Sequence, residues 1–253
     1  MNTFDFIKHM LEKAVSDGCF PSATAAIGVR DRLLGICAVG DADVGTRFDL
    51  ASMTKIFSTT MLALLAIENG QITLWDTLAR FFDAPADKKD ITMYQLMTHM
   101  GRFTPSFDLS AEAESPLDAA ACILRRPLEN MADGVPSYSC MGYILLGIIL
   151  EQVYGGTLDV LAERFVFGPL GMRNTGYCPE GGNIAPTEVD PATGKAWRGI
   201  VHDENARYLG GVSGNAGVFS DIADCATFAS MLACGGKGLL SPAVLKKAIH
   251  NYT

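Results

Sequence analysis

The 253 residues are 49% hydrophobic, enough for one large core or two joined lobes, while a formal net charge of −8 and the lack of any Lys/Arg-rich run leave nothing to hold a phosphate backbone or an anionic lipid. Neither nucleic acid nor a membrane is therefore an expected partner, and the longest apolar run, residues 140–150, is well short of the roughly 18 residues that suggest a span. Seven scattered cysteines (19, 37, 122, 140, 178, 225 and 234) without a C-x-x-C pair, and histidines 9, 99, 202 and 250 without ligand spacing, predict reduced thiols, no disulfide framework, no metal and no cofactor.

In chain order, Phe4, Ile7, Leu11 and Ala14/Val15 recur at helical spacing up to Gly18 and predict an amphipathic helix. It lacks the charged leader, unbroken apolar run and cleavage site of a signal peptide, so a cytoplasmic location is expected. Residues 22–30 and 33–40, rich in Ala, Val and Ile around Asp31-Arg32, predict a β-hairpin. Residues 53–68 are apolar almost all round, the pattern of a helix buried at the centre, and Asn69-Gly70 closes it. From there to about residue 175 the chain reads as mainly helical, most clearly at 119–124, 141–153 and 158–165, with prolines marking the loops. Residues 177–199, rich in Gly, Pro, Asn and Thr, predict a long surface loop. The glycine-laden stretch 209–217 predicts a backbone-dominated turn or bulge, followed by a helix over 221–233 and another from Pro242.

Chemistry concentrates at Ser52-Met53-Thr54-Lys55, the one S-x-x-K of the chain, which sets a hydroxyl and an amine three residues apart on one helix face. A chain of this length should hold about one such tetrapeptide by chance, so its weight comes from context. A lysine in the first turn of an otherwise apolar helix is costly unless it is paired or put to use. A serine hydroxyl is a weak nucleophile that needs a base within hydrogen-bond reach. An amine in apolar surroundings gives up its proton more readily and can act as that base, while N–H groups at a helix start can stabilise an oxyanion.

The segment Phe48-Asp-Leu-Ala-Ser-Met-Thr-Lys-Ile-Phe57 resembles the nucleophile segment of class C-type β-lactamases, penicillin-binding proteins and the esterases and D-peptidases related to them. The resemblance continues in the family's order through residues 69–76, 96–99, 138–143, 168–172 and 201–206, and so covers nearly the whole chain. It implies a two-lobed fold, α/β plus all-α. Residues 1–60 would give the N-terminal helix, hairpin and nucleophile helix of the α/β lobe, 61–200 a helical lobe, and 201–253 the return to the α/β lobe. It further implies a serine hydrolase that cleaves a small ester, amide or peptide through an acyl-enzyme. Ser52 would be the nucleophile, and Lys55 and Tyr138 the proton carriers. Cys140 would lie on the substrate, while His202 and Asp203 either line the pocket mouth or form a solvated turn.

Two departures bear on that expectation. Where the family's second motif is Tyr-x-Asn, this chain has Tyr138-Ser139-Cys140, and a thiol is a weak donor and acceptor where asparagine offers a carbonyl and two N–H groups. Simple esters are therefore expected to be accepted better than β-lactams. Cys140 as nucleophile is a second reading, without an identifiable His partner. The third motif, Lys-Thr-Gly or His-x-Gly on a pocket-lining strand, does not follow Gly217, so an incomplete antiparallel sheet is expected. The rival from another class is a non-catalytic or truncated protein that keeps the fold as a binding module. An uncovered hairpin edge predicts self-association into a homo-oligomer. Residues 211–215 come close to the G-x-S-x-G elbow of other hydrolases, but end in Asn215 with no strand pattern before them.

Overall fold

The computed structural model describes residues 3–251. The first two residues of the expected opening helix and the last two of the expected closing lobe lie outside the described residues. Helix α1 (Thr3–Ser16) leads into β1 (Ser22–Val29) and β2 (Arg32–Gly40), which pair antiparallel with Ser22 opposite Gly40 and Val29 opposite Arg32. This is the hairpin expected from the two apolar runs.

Strand β3 (Phe48–Asp49) delivers the chain to the nucleophile turn. Beyond it, residues 51–68 wind as one helix with three pitches: a 3-10 turn at Ala51–Met53, a π-helical stretch at Lys55–Thr60, and α2 (Met61–Glu68). The sequence predicts a uniform buried helix here, and α2 is buried on all sides through Met61, Leu62, Ala63, Leu64 and Ala66. The π stretch is the departure. Its hydroxyls and that of Thr54 bond to other segments: Thr54 Oγ1 accepts from the Val218 amide at 3.0 Å, Thr59 Oγ1 donates to the Gly214 carbonyl at 2.7 Å, and Tyr177 donates to Ser58 Oγ at 2.9 Å. Such tertiary anchors hold a wider turn that local propensity alone does not favour.

Helices α3 (Met93–Met97), α4 (Leu109–Glu112), α5 (Ala119–Arg125), α6 (Cys140–Tyr154), α7 (Leu158–Ala162) and α8 (Gly168–Leu170) build the core around α2. In α6 the apolar residues again go all round the axis, and Ile144, Leu145, Leu146, Ile149 and Leu150 are at most 1% exposed. Each such side chain contributes roughly 1.5–3 kcal/mol on burial. Ser139 caps the start of α6, its Oγ accepting from the Gly142 amide, and Gly155 in the left-handed region ends it.

The remaining elements are β4 (Gly176–Tyr177), β5 (Pro186–Val189), β6 (Ala196–Arg198), α9 (Glu204–Tyr208), β7 (Val218–Ser220), α10 (Ile222–Ala233) and α11 (Pro242–Ala248). The wholly buried β7 lies between β3 and β4, antiparallel to both, and so ties the nucleophile turn into the core. Helix α10 packs mainly on β1, and α1 mainly on β2. The expected loop at 177–199 contains the β5–β6 hairpin, a correction to the sequence reading: the strands are short, begin at Pro186, and shift register between Pro186 and Glu188, so no clear alternation marks them. The glycine-laden turn exists, but residues 213–217 are buried. A Cβ on Gly214 would stand 2.1 Å from the Tyr143 carbonyl oxygen and 3.0 Å from Gly147 Cα, so only glycine lets this loop lie against α6. No single described helix is long and apolar enough to cross a membrane.

Candidate active site

Ser52 sits exposed in the 3-10 turn, directly after Ala51, whose φ of 46° is unusual for a residue with a side chain. The turn is pinned from both sides: Asp49 Oδ1 accepts from the Ala51 amide at 2.8 Å, and the Leu50 amide donates to the Val218 carbonyl at 2.9 Å. Strain at such a position persists only where its surroundings over-determine it.

Lys55, three residues on, is 3% exposed. Its Nζ donates to Ser52 Oγ at 3.0 Å and to the Asn215 carbonyl at 2.9 Å, and lies 3.5 Å from Cys140 Sγ. It also faces the rings of Tyr138 and Tyr143, 5.0 and 5.7 Å from their centroids. None of the ion pairs among the described residues includes it. The buried amine is thus surrounded by a hydroxyl, a thiol, a carbonyl and two ring faces, without a carboxylate.

Tyr138 is half exposed, and Cys140 opens α6 with its amide donating to the Pro105 carbonyl at 2.8 Å. Buried Tyr143 donates from its hydroxyl to the Met97 carbonyl at 3.1 Å, and burial raises its phenol above the usual range. His99 lies beside these groups, its ring tilted against Tyr138 and Tyr143 with centroids 4.5 and 4.9 Å away. Burial first, and the Lys55 charge second, bring its imidazole from 6.5 down to about 4, so it is neutral at ordinary pH.

Four of the residues singled out from sequence, Ser52, Lys55, Tyr138 and Cys140, therefore gather around one amine. His202 reaches the same turn through its backbone, its amide donating to Asp49 Oδ2 at 2.8 Å, while its exposed ring turns to Glu188 at 3.4 Å. Asp203 caps α9, its Oδ1 accepting from the Ala206 amide at 2.8 Å. Two contributors have no sequence reading of their own. The Asn215 contact is a carbonyl, so side-chain type carries no trace of it, and its signals in sequence are the glycine content around it and the near-elbow at 211–215. His99 stood as one of four scattered histidines; its hint was a place in the 96–99 segment. Among the described residues no three His, Cys, Asp or Glu side chains are grouped as a metal ion would need.

The likeness to known proteins extends over most of the chain. The family model described as Beta-lactamase matches residues 7–252. A protein of Escherichia coli (strain K12), provisionally named a D-alanyl-D-alanine carboxypeptidase, is 33% identical, with 77% of this chain and 52% of that protein covered. The chain spans about half the length of the curated relatives it matches. Among solved structures, the octameric penicillin-binding protein homologue from Pyrococcus abyssi superposes with a TM-score of 0.82 at 18% identity, covering 99% of this chain and 61% of that one. The class C beta lactamase from Rhodobacter sphaeroides gives 0.71 at 24% identity, covering 95% and 68%. At these identities the likeness to the two structures is one of fold. With its family match over nearly every residue and that shared architecture, the chain belongs to the beta-lactamase family and has the beta-lactamase and penicillin-binding protein fold.

Proposed function

We propose that this chain is a serine hydrolase that is acylated on Ser52 by an ester or amide. The observation that carries the reading is the 3.0 Å contact between Ser52 Oγ and the Nζ of Lys55, which is buried while the serine stays open to solvent. In this reading Nζ takes the Oγ proton across that contact as Oγ bonds to the carbonyl carbon. The Ser52 amide supplies one donor to the oxyanion that forms. The proton returns to the leaving group from Lys55 by way of Tyr138, whose ring already lies against the amine, and water then resolves the acyl-enzyme. The name of the Escherichia coli relative supports a D-peptide, or an ester resembling one, as the substrate class. The thiol of Cys140 favours simple esters over β-lactams, since it cannot reproduce the paired amide contacts of an asparagine.

That same thiol favours a second reading, a binding module without turnover. A serine-directed fluorophosphonate separates the two. The expected adduct lies on the peptide that contains Ser52, disappears in Ser52→Ala, and forms at least about 100-fold more slowly in a folded Lys55→Met protein. A folded wild-type chain that leaves Ser52 unmodified would overturn the acylation reading in favour of a non-catalytic chain.

A further inference from the structure

We propose that His99 is a positioning residue, a clamp that turns the segment 137–140 so that Tyr138 and Cys140 meet the Lys55 amine. The inference rests on the reading of Lys55 and Tyr138 as proton carriers beside Ser52. His99 holds the segment at three successive places. Its carbonyl accepts from the Ser137 amide at 2.8 Å, its ring packs on Tyr138, and its Nδ1 accepts from the Ser139 amide at 3.1 Å. Residues 135–139 have no regular secondary structure, so no helix or strand ladder fixes the direction in which Tyr138 leaves the chain.

The rest of Ser139 is occupied as well. Its Oγ donates to the Thr104 carbonyl at 2.9 Å while accepting from the Gly142 amide, and the next residue's amide is held by Pro105. With those groups fixed, the orientation of the 138–139 peptide decides where the Tyr138 ring lies, and that peptide's N–H ends on His99 Nδ1. A ring nitrogen that accepts cannot carry a proton, so the clamp needs the neutral imidazole with its hydrogen on Nε2. The charged and titratable groups facing the ring suit this: the Lys55 amine and the phenols of Tyr138 and Tyr143, with no carboxylate among them. The nearby Arg102 guanidinium is engaged elsewhere, by Asp133 and the Glu129 carbonyl.

The backbone of His99 supports the same assignment. Its φ of 59° is left-handed, a region uncommon for any residue other than glycine. A residue kept in a less favourable conformation while making three directed contacts is the pattern from which a functional role is inferred. It also provides well-matched variants. Asparagine tolerates this φ and can present Oδ1 about where Nδ1 now accepts; glycine tolerates the φ and presents nothing.

The test compares fluorophosphonate labelling of Ser52 in wild type, H99N and H99G at equal fractions folded. H99G should label about tenfold more slowly or worse, and H99N should recover most of the rate, since one directed contact in a reacting site carries an effect of that order. In a Tyr138→Phe background H99G should add little, because the clamp acts through Tyr138. Equal slowing in H99N and H99G, or full additivity with Tyr138→Phe, would overturn the proposal. Exchange of the Ser139 amide proton, followed by NMR, judges the clamp without any reaction at Ser52. It should be slow in wild type and H99N and fast in H99G. Unchanged exchange in H99G would refute the clamp, whereas absent labelling in wild type would refute the proposed reaction alone.

Discussion

The core around α2 and α6 and the layer formed by α1, β1 and β2 both draw on apolar sequence, but they bury it to very different depths. In α6 nine residues are buried, from Met141 to Leu150, while α1 has none. Across the hairpin only Cys37 and Val39 are buried, and Phe6, Met10, Val29, Leu33 and Leu34 each stay about half exposed or more. The difference follows from what surrounds each element. Helices α2 and α6 have neighbours on every side, whereas β1 and β2 pair with each other alone among the described strands and receive α10 and α1. A two-stranded sheet depends on the helices packed against it, and these cover it only partly, so stability in this chain should be concentrated in the helical core. The site belongs to that core: Lys55, Cys140 and Asn215 converge from it, and the hairpin contributes none of the contacts to the amine.

The largest expected effect tests the core directly. Leu146→Ala removes a fully buried side chain and should lower the unfolding free energy by about 2–5 kcal/mol, read from the urea midpoint. A loss under about 1 kcal/mol would mean that this packing is looser than the structure shows.

Acid should act on the core next, through His99. Its imidazole titrates at about 4 when folded and near 6.5 otherwise, so between those values the unfolded chain binds the proton that the folded chain refuses. Stability should therefore be complete above about pH 6.5, fall as the pH drops toward 4, and lose no more from this residue below that. His99 is only partly buried and solvent screens part of the shift, so the expected loss is roughly 1–2 kcal/mol between pH 7 and 4, and H99N should lack this part of it. Identical pH profiles for the two proteins would break the link between His99 and the core.

The smallest effect belongs to the hairpin. Leu33→Ala should change stability by no more than about 0.5 kcal/mol, because the side chain is already half in water. A loss comparable to that of Leu146→Ala would erase the contrast between the two regions, and would point to a hairpin covered in solution.

Much of this architecture was legible because it rests on local pattern. The Ala/Val/Ile runs around Asp31 specify a hairpin, and the largely apolar segments 53–68 and 141–153 specify buried helices. What stayed hidden depends on contacts between distant residues or on backbone atoms. The π stretch is held through Thr59 and Gly214, which are 155 positions apart. The Lys55 amine is received by the carbonyl of Asn215, a group every residue possesses. His99 gains its place from an αL backbone and from the amide of Ser139, neither of which its letter announces. The four letters of S-x-x-K named the pair at the centre of the cluster, and the fold supplied its surroundings.

The change of pitch within residues 51–68 sets a rule of length for this segment. An α-helix turns about 100° per residue, so one residue fewer in the π stretch would rotate the Ser52 end by roughly that angle against the buried face of α2. The serine would swing out of reach of groups that arrive from other elements and cannot follow it. Substitutions here are judged by chemistry, but insertions and deletions are judged by angle, and the number of residues between Ser52 and Met61 is as much a part of the site as the residues themselves.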